Sequence, residues 1–292
     1  MDSINVLDFN LEKTLKCGQL FRYDNIDDAY LISHRDSLFK VRQEKSTLLF
    51  SGVDREFISD FFRLEEDYKT IINSISKDEF MREVIDQNYG MRIMRQDPWE
   101  CLISYMCSAR NKIPKIKQNL SMISKTFGSR ISHQDYEGFS FPGPGRILNH
   151  DALRACKVGF RSEFIHQANK DIDEKRLIDL RNASYEHAKS ELTKIKGIGD
   201  KIADCISLFS LDQLDSFPVD TWDQKSHDGA VFRWKKCKRQ ENKGFCQRLF
   251  REIPGVCESV SFLISAHAKL KMEILGLLNS YASVSYFKSR KI

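Results

Sequence analysis

No apolar run in this 292-residue chain approaches the ~20 residues of a membrane span, and the longest candidate, near Ile274 to Tyr286, is broken by Asn279 and serines. A membrane partner is therefore not expected. The N-terminus MDSINVLDFN has acidic residues and no apolar core of signal-peptide length, so a cytoplasmic location is expected. The eight cysteines, at 17, 101, 107, 156, 205, 237, 246 and 257, contain no C-x-x-C. That spacing argues against a zinc knuckle or an iron–sulfur cluster and suits a reduced compartment; no metal and no organic cofactor is implied. Positive charge is scarce where a nucleic-acid binder would carry it. Of the net +5, residues 1–222 hold 32 basic against 35 acidic side chains, and residues 223–292 hold 14 against 6. Composition alone does not make the first 222 residues a DNA-binding unit.

What is present is an ordinary globular balance, 41% apolar and 30% charged, at a length that suggests about two domains. Residues 4–52 alternate short apolar runs (Tyr30-Leu31-Ile32, Leu38 to Val41, Leu48 to Phe50) with turn residues at 34–36 and 43–45, the pattern of an antiparallel meander. Helical patterns follow around Phe57 to Phe62, Tyr68 to Ile75 and Glu79 to Ile85, which makes residues 1–95 a small α+β domain. Asp97-Pro98 is a helix start, with an Asp cap and Pro at the first helical position. A second amphipathic helix carries Ile113, Ile116, Leu120, Ile123 and Phe127 and ends at Gly128. Residues 129–146 are polar and rich in Gly and Pro and are expected to form a loop, with short helices after it.

The stretch from Leu192 to Trp222, LTKIKGIGDKIADCISLFSLDQLDSFPVDTW, organises the rest. Ala188, Leu192 and Ile195 share one helical face, and Ile202, Cys205, Ile206 and Phe209 repeat the pattern after a Gly-Ile-Gly turn. Gly197 and Gly199 permit positive φ and leave no Cβ beside the turn amides, and the second helix offers unpaired N–H groups to an anion such as a DNA phosphate. Lys201 falls in the first turn of that helix, where the dipole and poor solvation would favour a neutral, nucleophilic amine. Phe217-Pro218-Val219 then leads to a carboxylate at Asp220. Taken singly, the glycines read as a plain turn, the lysine as a solvated charge and the aspartate as a helix cap.

GIGDKIADC followed by FPVDTW resembles the helix-hairpin-helix DNA glycosylases, and in particular the 8-oxoguanine DNA glycosylase/lyase branch. FNLEKTLKCGQLFR and MRQDPWECLISYMCSARNKIPKI extend the resemblance over most of residues 8–222. It implies an α+β architecture: a small antiparallel-sheet domain at 1–95, then an all-helical helix-hairpin-helix glycosylase domain at 96–222. It also implies a monomer acting on damaged double-stranded DNA. Lys201 would attack C1′ of an extruded nucleotide and form a Schiff base, with Asp220 stabilising the cationic sugar. Gly197 and Gly199 would hold a phosphate, and Cys205 would pack against the flipped base. The backbone carbonyl of Gly18 would accept the N7–H that 8-oxoguanine has and guanine lacks, a difference of ~1–3 kcal/mol. Where the family inserts an asparagine into the duplex this chain has Arg110, followed by Asn111. Val158-Gly159-Phe160-Arg161 matches a family Gly-Tyr-Arg turn, so Arg161 would read the cytosine opposite the lesion. Lys196 replaces a common proline. Glycosylases for alkylated bases or mismatched adenine are the second enzyme reading. Lys201 disfavours monofunctional relatives, and the missing cluster cysteines disfavour the adenine branch. A non-catalytic helix-hairpin-helix DNA-binding protein is the alternative of a different class.

The resemblance stops at Trp222. Residues 223–292 have poor hydrophobic periodicity and a basic balance, and the family helices are missing from them. With synonymous codons chosen freely and the frame moved one nucleotide later, this tail can encode Ile-Lys-Lys-Val-Met-Met-Glu-Leu-Tyr and further family-like sequence over about forty codons. It is read as a frameshifted product, with impaired folding and weak or absent excision expected.

Overall fold

The computed structural model describes residues 1–76, 79–214, 216 and 218. The expectations placed on Asp220 and on residues 223–292 lie outside the described residues. The first half is built on a five-stranded antiparallel sheet of β1 (Asp2–Asn5), β2 (Tyr23–Ile26), β3 (Ala29–His34), β4 (Ser37–Glu44) and β5 (Thr47–Ser51), in the order β1-β5-β4-β3-β2. Alternation drives it: Ile32, Phe39, Val41, Leu48 and Phe50 are fully buried, with Ile32 opposite Phe39 and Val41 opposite Phe50. Helices α1 (Leu11–Lys16) and α2 (Arg55–Phe61) add Leu11, Leu15, Ile58 and Phe61 to that layer, and α3 (Tyr68–Ile75) and α4 (Glu79–Asn88) follow. The meander was legible from its apolar triplets. The flanking strands β1 and β2, DSIN and YDNI, are too polar to announce themselves and are held by pairing with β5 and β3.

The second half is helical and surrounds α5 (Pro98–Ser108), buried at every residue from Trp99 to Cys107. Its start is capped as expected: the Asp97 side chain accepts from Glu100 N at 2.8 Å. Around it run α6 (Ile113–Phe127), α7 (His150–Ala155), α8 (Arg161–Asp171), α9 (Glu174–Asn182), α10 (Tyr185–Thr193) and α11 (Asp200–Ser210). The segment 129–146 corrects the sequence reading. It contains a hairpin, β6 (Arg130–His133) and β7 (Tyr136–Phe139), whose four-residue polar strands carry no apolar alternation. The hairpin docks on the first half, with His133 Nε2 2.8 Å from Ser51 Oγ.

The two halves are joined by ion pairs, among them one that is buried and one at the surface. Arg22 meets Glu100 at 3.0 Å with both side chains 7% exposed, and Arg35 Nε meets Asp97 at 3.1 Å. Beside them, burial against the Phe57 and Phe61 rings pushes the His34 imidazole down to about 4, with the neighbouring guanidinium groups acting in the same sense and Asp97 against it. The unfolded histidine takes a proton near 6.5 and the folded one only near 4. Stability is thus complete above 6.5 and falls as pH drops through this window. Burial raises the Asp97 carboxyl, which favours its protonated form in the folded chain and offsets part of that loss at the acid end. We expect Tm to decline from pH 6.5 to 4 and the decline to flatten in His34→Gln, as calorimetry across that range would record.

Candidate nucleic-acid interface and reaction site

Helices α10 and α11 form the hairpin that the sequence indicated. Ser184 caps α10 through His187 N, and Ile198 N donates to Ile195 O at 3.0 Å across the turn. Gly197 sits at φ +94, the left-handed side that a side chain resists, and a Cβ there would lie 2.6 Å from the Phe164 ring. Gly199 departs from the expectation of positive φ. It is extended at φ −99 and ψ 179, an angle open to any residue, so what its lack of a side chain supplies is access. A Cβ at Gly199 would meet nothing within 4 Å, and no side chain of this N-cap covers the first-turn amides of α11. Those amides lie at the positive end of the helix, the arrangement that holds a phosphate.

A buried ion pair fixes the hairpin from inside. Asp204, 1% exposed on α11, accepts from Lys189 Nζ at 2.5 Å and from Tyr185 Oη at 2.7 Å, both on α10. Removing one partner of such a pair costs ~3–5 kcal/mol, so this contact locks the crossing of the two helices. Sequence reasoning passed over Asp204. Its only signal was an acid on the buried side of an otherwise apolar helix.

Lys201 occupies the first turn of α11 and is exposed. Apolar packing flanks it, with Ile198 buried before it and Ile202 packed against the helical core after it. Four residues on, Cys205 is 5% exposed and belongs to the helical core with Tyr105 and Phe209, the last two stacked at 5.6 Å. Burial pushes the Tyr105 phenol well up, so it stays a donor, and it reaches the Gln19 carbonyl at 3.4 Å. Tyr105 thereby links the Cys205 helix to the turn bearing Gly18.

That turn closes α1. Cys17 is its αR C-cap and Gly18 follows at φ +95, the usual left-handed exit. Gln19, fully buried, fastens it: its amide donates to Thr14 O (3.0 Å) and Arg92 O (2.8 Å) and accepts from Met94 N (2.9 Å). Among the described residues no donor reaches the Gly18 carbonyl. A held, half-buried acceptor is what base discrimination needs.

The loop between α5 and α6 separates the two wedge candidates. Arg110 is exposed, in a left-handed conformation at φ +52 that costs ~1–3 kcal/mol for a residue with a side chain. Asn111 is turned inward, its amide donating to Cys107 O at 3.0 Å and Asn119 Oδ1 at 3.2 Å. Arg161, expected to read a base, is only 8% exposed and its guanidinium faces this loop. Exposed Phe160 packs edge-on to Phe164, the ring beneath Gly197, so the hairpin, the Gly159-Phe160-Arg161 turn and the Arg110 loop are mutually braced. Asp220 lies outside the described residues.

One acid works against an anion here. Asp200 is exposed in the first turn of α11, favoured by the helix dipole but like-charged to a phosphate. Asp200→Asn should tighten duplex binding about threefold at low salt, the gain fading as salt rises. Fluorescence anisotropy over a salt series reads it. Among the described residues, no helix is long and apolar enough to cross a membrane.

The family model of the 8-oxoguanine DNA glycosylase N-terminal domain matches residues 3–102. The chain is 33% identical over 172 residues to N-glycosylase/DNA lyase OGG1 of Arabidopsis thaliana, covering 56% of this chain and 47% of that one. It is 27% identical over 256 residues to an N-glycosylase/DNA lyase of Saccharomyces cerevisiae, covering 75% and 67%. It thus spans about half the plant relative's length. The crystal structure of Clostridium acetobutylicum 8-oxoguanine glycosylase/lyase, with dsDNA containing cytosine opposite 8-oxoG, superposes with a TM-score of 0.81 at 24% identity, over 93% of this chain and 98% of that one, which shows the fold. The sheet-then-helices architecture and the Gly-Ile-Gly hairpin that leads into Lys201 thus go with similarity to 8-oxoguanine DNA glycosylases, over residues 3–102 for the family model and over 93% of the chain for the fold.

Proposed function

We propose that this chain is built to excise 8-oxoguanine from duplex DNA and then cut the strand. The observation that carries the reading is the gathering around α11. The uncapped amides follow Gly199, Lys201 stands one turn from buried Cys205, and Tyr105 ties that helix to the Gly18 carbonyl. The hairpin grips a phosphate beside the lesion, and Arg110 enters the gap left by the extruded base. The Lys201 amine bonds to C1′ as the base departs with the glycosidic electron pair and takes up a proton. Ring opening gives the Schiff base; loss of a C2′ proton then expels the 3′ phosphate. Asp220, from its place after Pro218, is assigned the electrostatic support of the cationic sugar. The site of action is DNA inside the cell, and the acting species is a monomer.

The tail belongs to the same proposal. Residues 223–292 are a frameshifted translation, so this chain turns over weakly beside one whose frame is restored by deleting one nucleotide after the Trp222 codon. Borohydride trapping on an 8-oxoguanine duplex tests both parts. The expected result is a small adduct yield from this chain and a large one from the restored chain. No adduct from either would sink the glycosylase reading and leave a non-catalytic DNA-binding protein; equal yields would sink the frameshift.

A further inference from the structure

Gln96 lies just before α5 and is 6% exposed. Its two amides work in opposite directions. The main-chain N–H donates to the Phe209 carbonyl at 2.9 Å, on α11 one turn past Cys205, and the side-chain Nε2 donates to the Gln19 carbonyl at 3.0 Å. Only the NH2 end of that side chain can meet a carbonyl, so its orientation follows from chemistry. The same Gln19 oxygen takes a second, longer bond from Tyr105 Oη at 3.4 Å, which fills both of its lone pairs. One buried residue thus spans the distance between the helix of Cys205 and the turn of Gly18.

That turn needs support from outside. Gly18, at φ +95, has no Cβ, and a glycine gives its own carbonyl no preferred aim. The aim must come from the next residue. Gln19 is held at its side chain by Thr14, Arg92 and Met94 and at its carbonyl by Gln96 and Tyr105. With both ends fixed, the rigid peptide between Gly18 and Gln19 is not free to swing. We infer that Gln96 is a positioning residue for base selection: acting through Gln19, it aims the Gly18 carbonyl and sets its spacing from Cys205. The inference rests on the reading of that carbonyl as the acceptor of the 8-oxoguanine N7–H.

The test compares two substrates of the full chain. Borohydride trapping on an 8-oxoguanine duplex requires the base to be selected, whereas trapping on an aldehydic abasic site requires only Lys201, so the ratio of the two adducts cancels losses of folding or turnover. Gln96→Leu fills the space without the donor and should lower that ratio about tenfold. Tyr105→Phe keeps the ring stack on Phe209, loses only the longer bond and should lower it about threefold. It carries the test should Gln96→Leu fail to fold. Adducts that fall together, or do not fall, overturn the inference. An unaltered chain that traps the abasic site but treats guanine and 8-oxoguanine duplexes alike overturns the reading of Gly18 instead, and one that leaves no adduct at the abasic site overturns that of Lys201.

Discussion

With Lys201 replaced by glutamine, borohydride should trap no covalent adduct on 8-oxoguanine DNA, either from this chain or from one with the frame after Trp222 restored. Glutamine keeps the length and the hydrogen-bonding tip but has no lone pair able to form an iminium, so strand scission should fall by roughly a thousandfold or more. Lys201 is exposed in the first turn of α11, so the chemical loss should far exceed any loss of stability. A chain that still melts cooperatively, with duplex binding kept within about twofold, completes the expected result. Incision that survives the substitution would move the nucleophile elsewhere.

The second large effect is at Gly197. An alanine there must hold φ near +94 and place its Cβ 2.6–2.8 Å from three atoms of Phe164, so either the turn opens or the ring moves. Phe164 is braced by Phe160 on one side and lies under Lys196 on the other, which leaves the turn as the part that yields. A stability loss of ~2–4 kcal/mol and a duplex affinity lowered roughly tenfold or more are expected. Gly199→Ala is the contrast. Its angle suits any residue and its Cβ meets nothing, so Tm should hold while binding falls, because the methyl group stands where a phosphate would approach the amides. Thermal melts and anisotropy on both variants separate the roles of the two glycines. Equal behaviour would remove the anion site from Gly199.

The sequence revealed the elements whose signal is local. Asp97-Pro98 caps α5 through its own side chain, and the period of Ile113 to Phe127 needs no tertiary help. The hairpin was equally legible, because left-handed backbone at Gly197 is a property of one residue type. What stayed hidden depends on partners distant in sequence. The β6–β7 hairpin is polar and short and is held by contacts such as His133 to Ser51. Arg161 reads as a surface arginine until α5 and α8 are brought together, and Asn111 looks like a wedge until Asn119 is placed beside it. Lys201 carried a further expectation, poor solvation, that no spacing rule can test, since burial is decided by whatever covers the helix start.

The ring of Phe21 belongs by sequence to the sheet half, yet it lies in the helical core, 5.8 Å from Tyr105, while Met94, next to the boundary expected at residue 95, is fully buried in the sheet core. The sheet half thus keeps a plug, Phe21, seated in the helical half's socket, and its own core runs up to Met94. A fragment begun at residue 96 would expose the socket that Phe21 fills, and one ended at 93 would lack Met94 from its own core. Neither piece should be recoverable as a stable species, and the intact chain should lose both together on heating, in one cooperative transition.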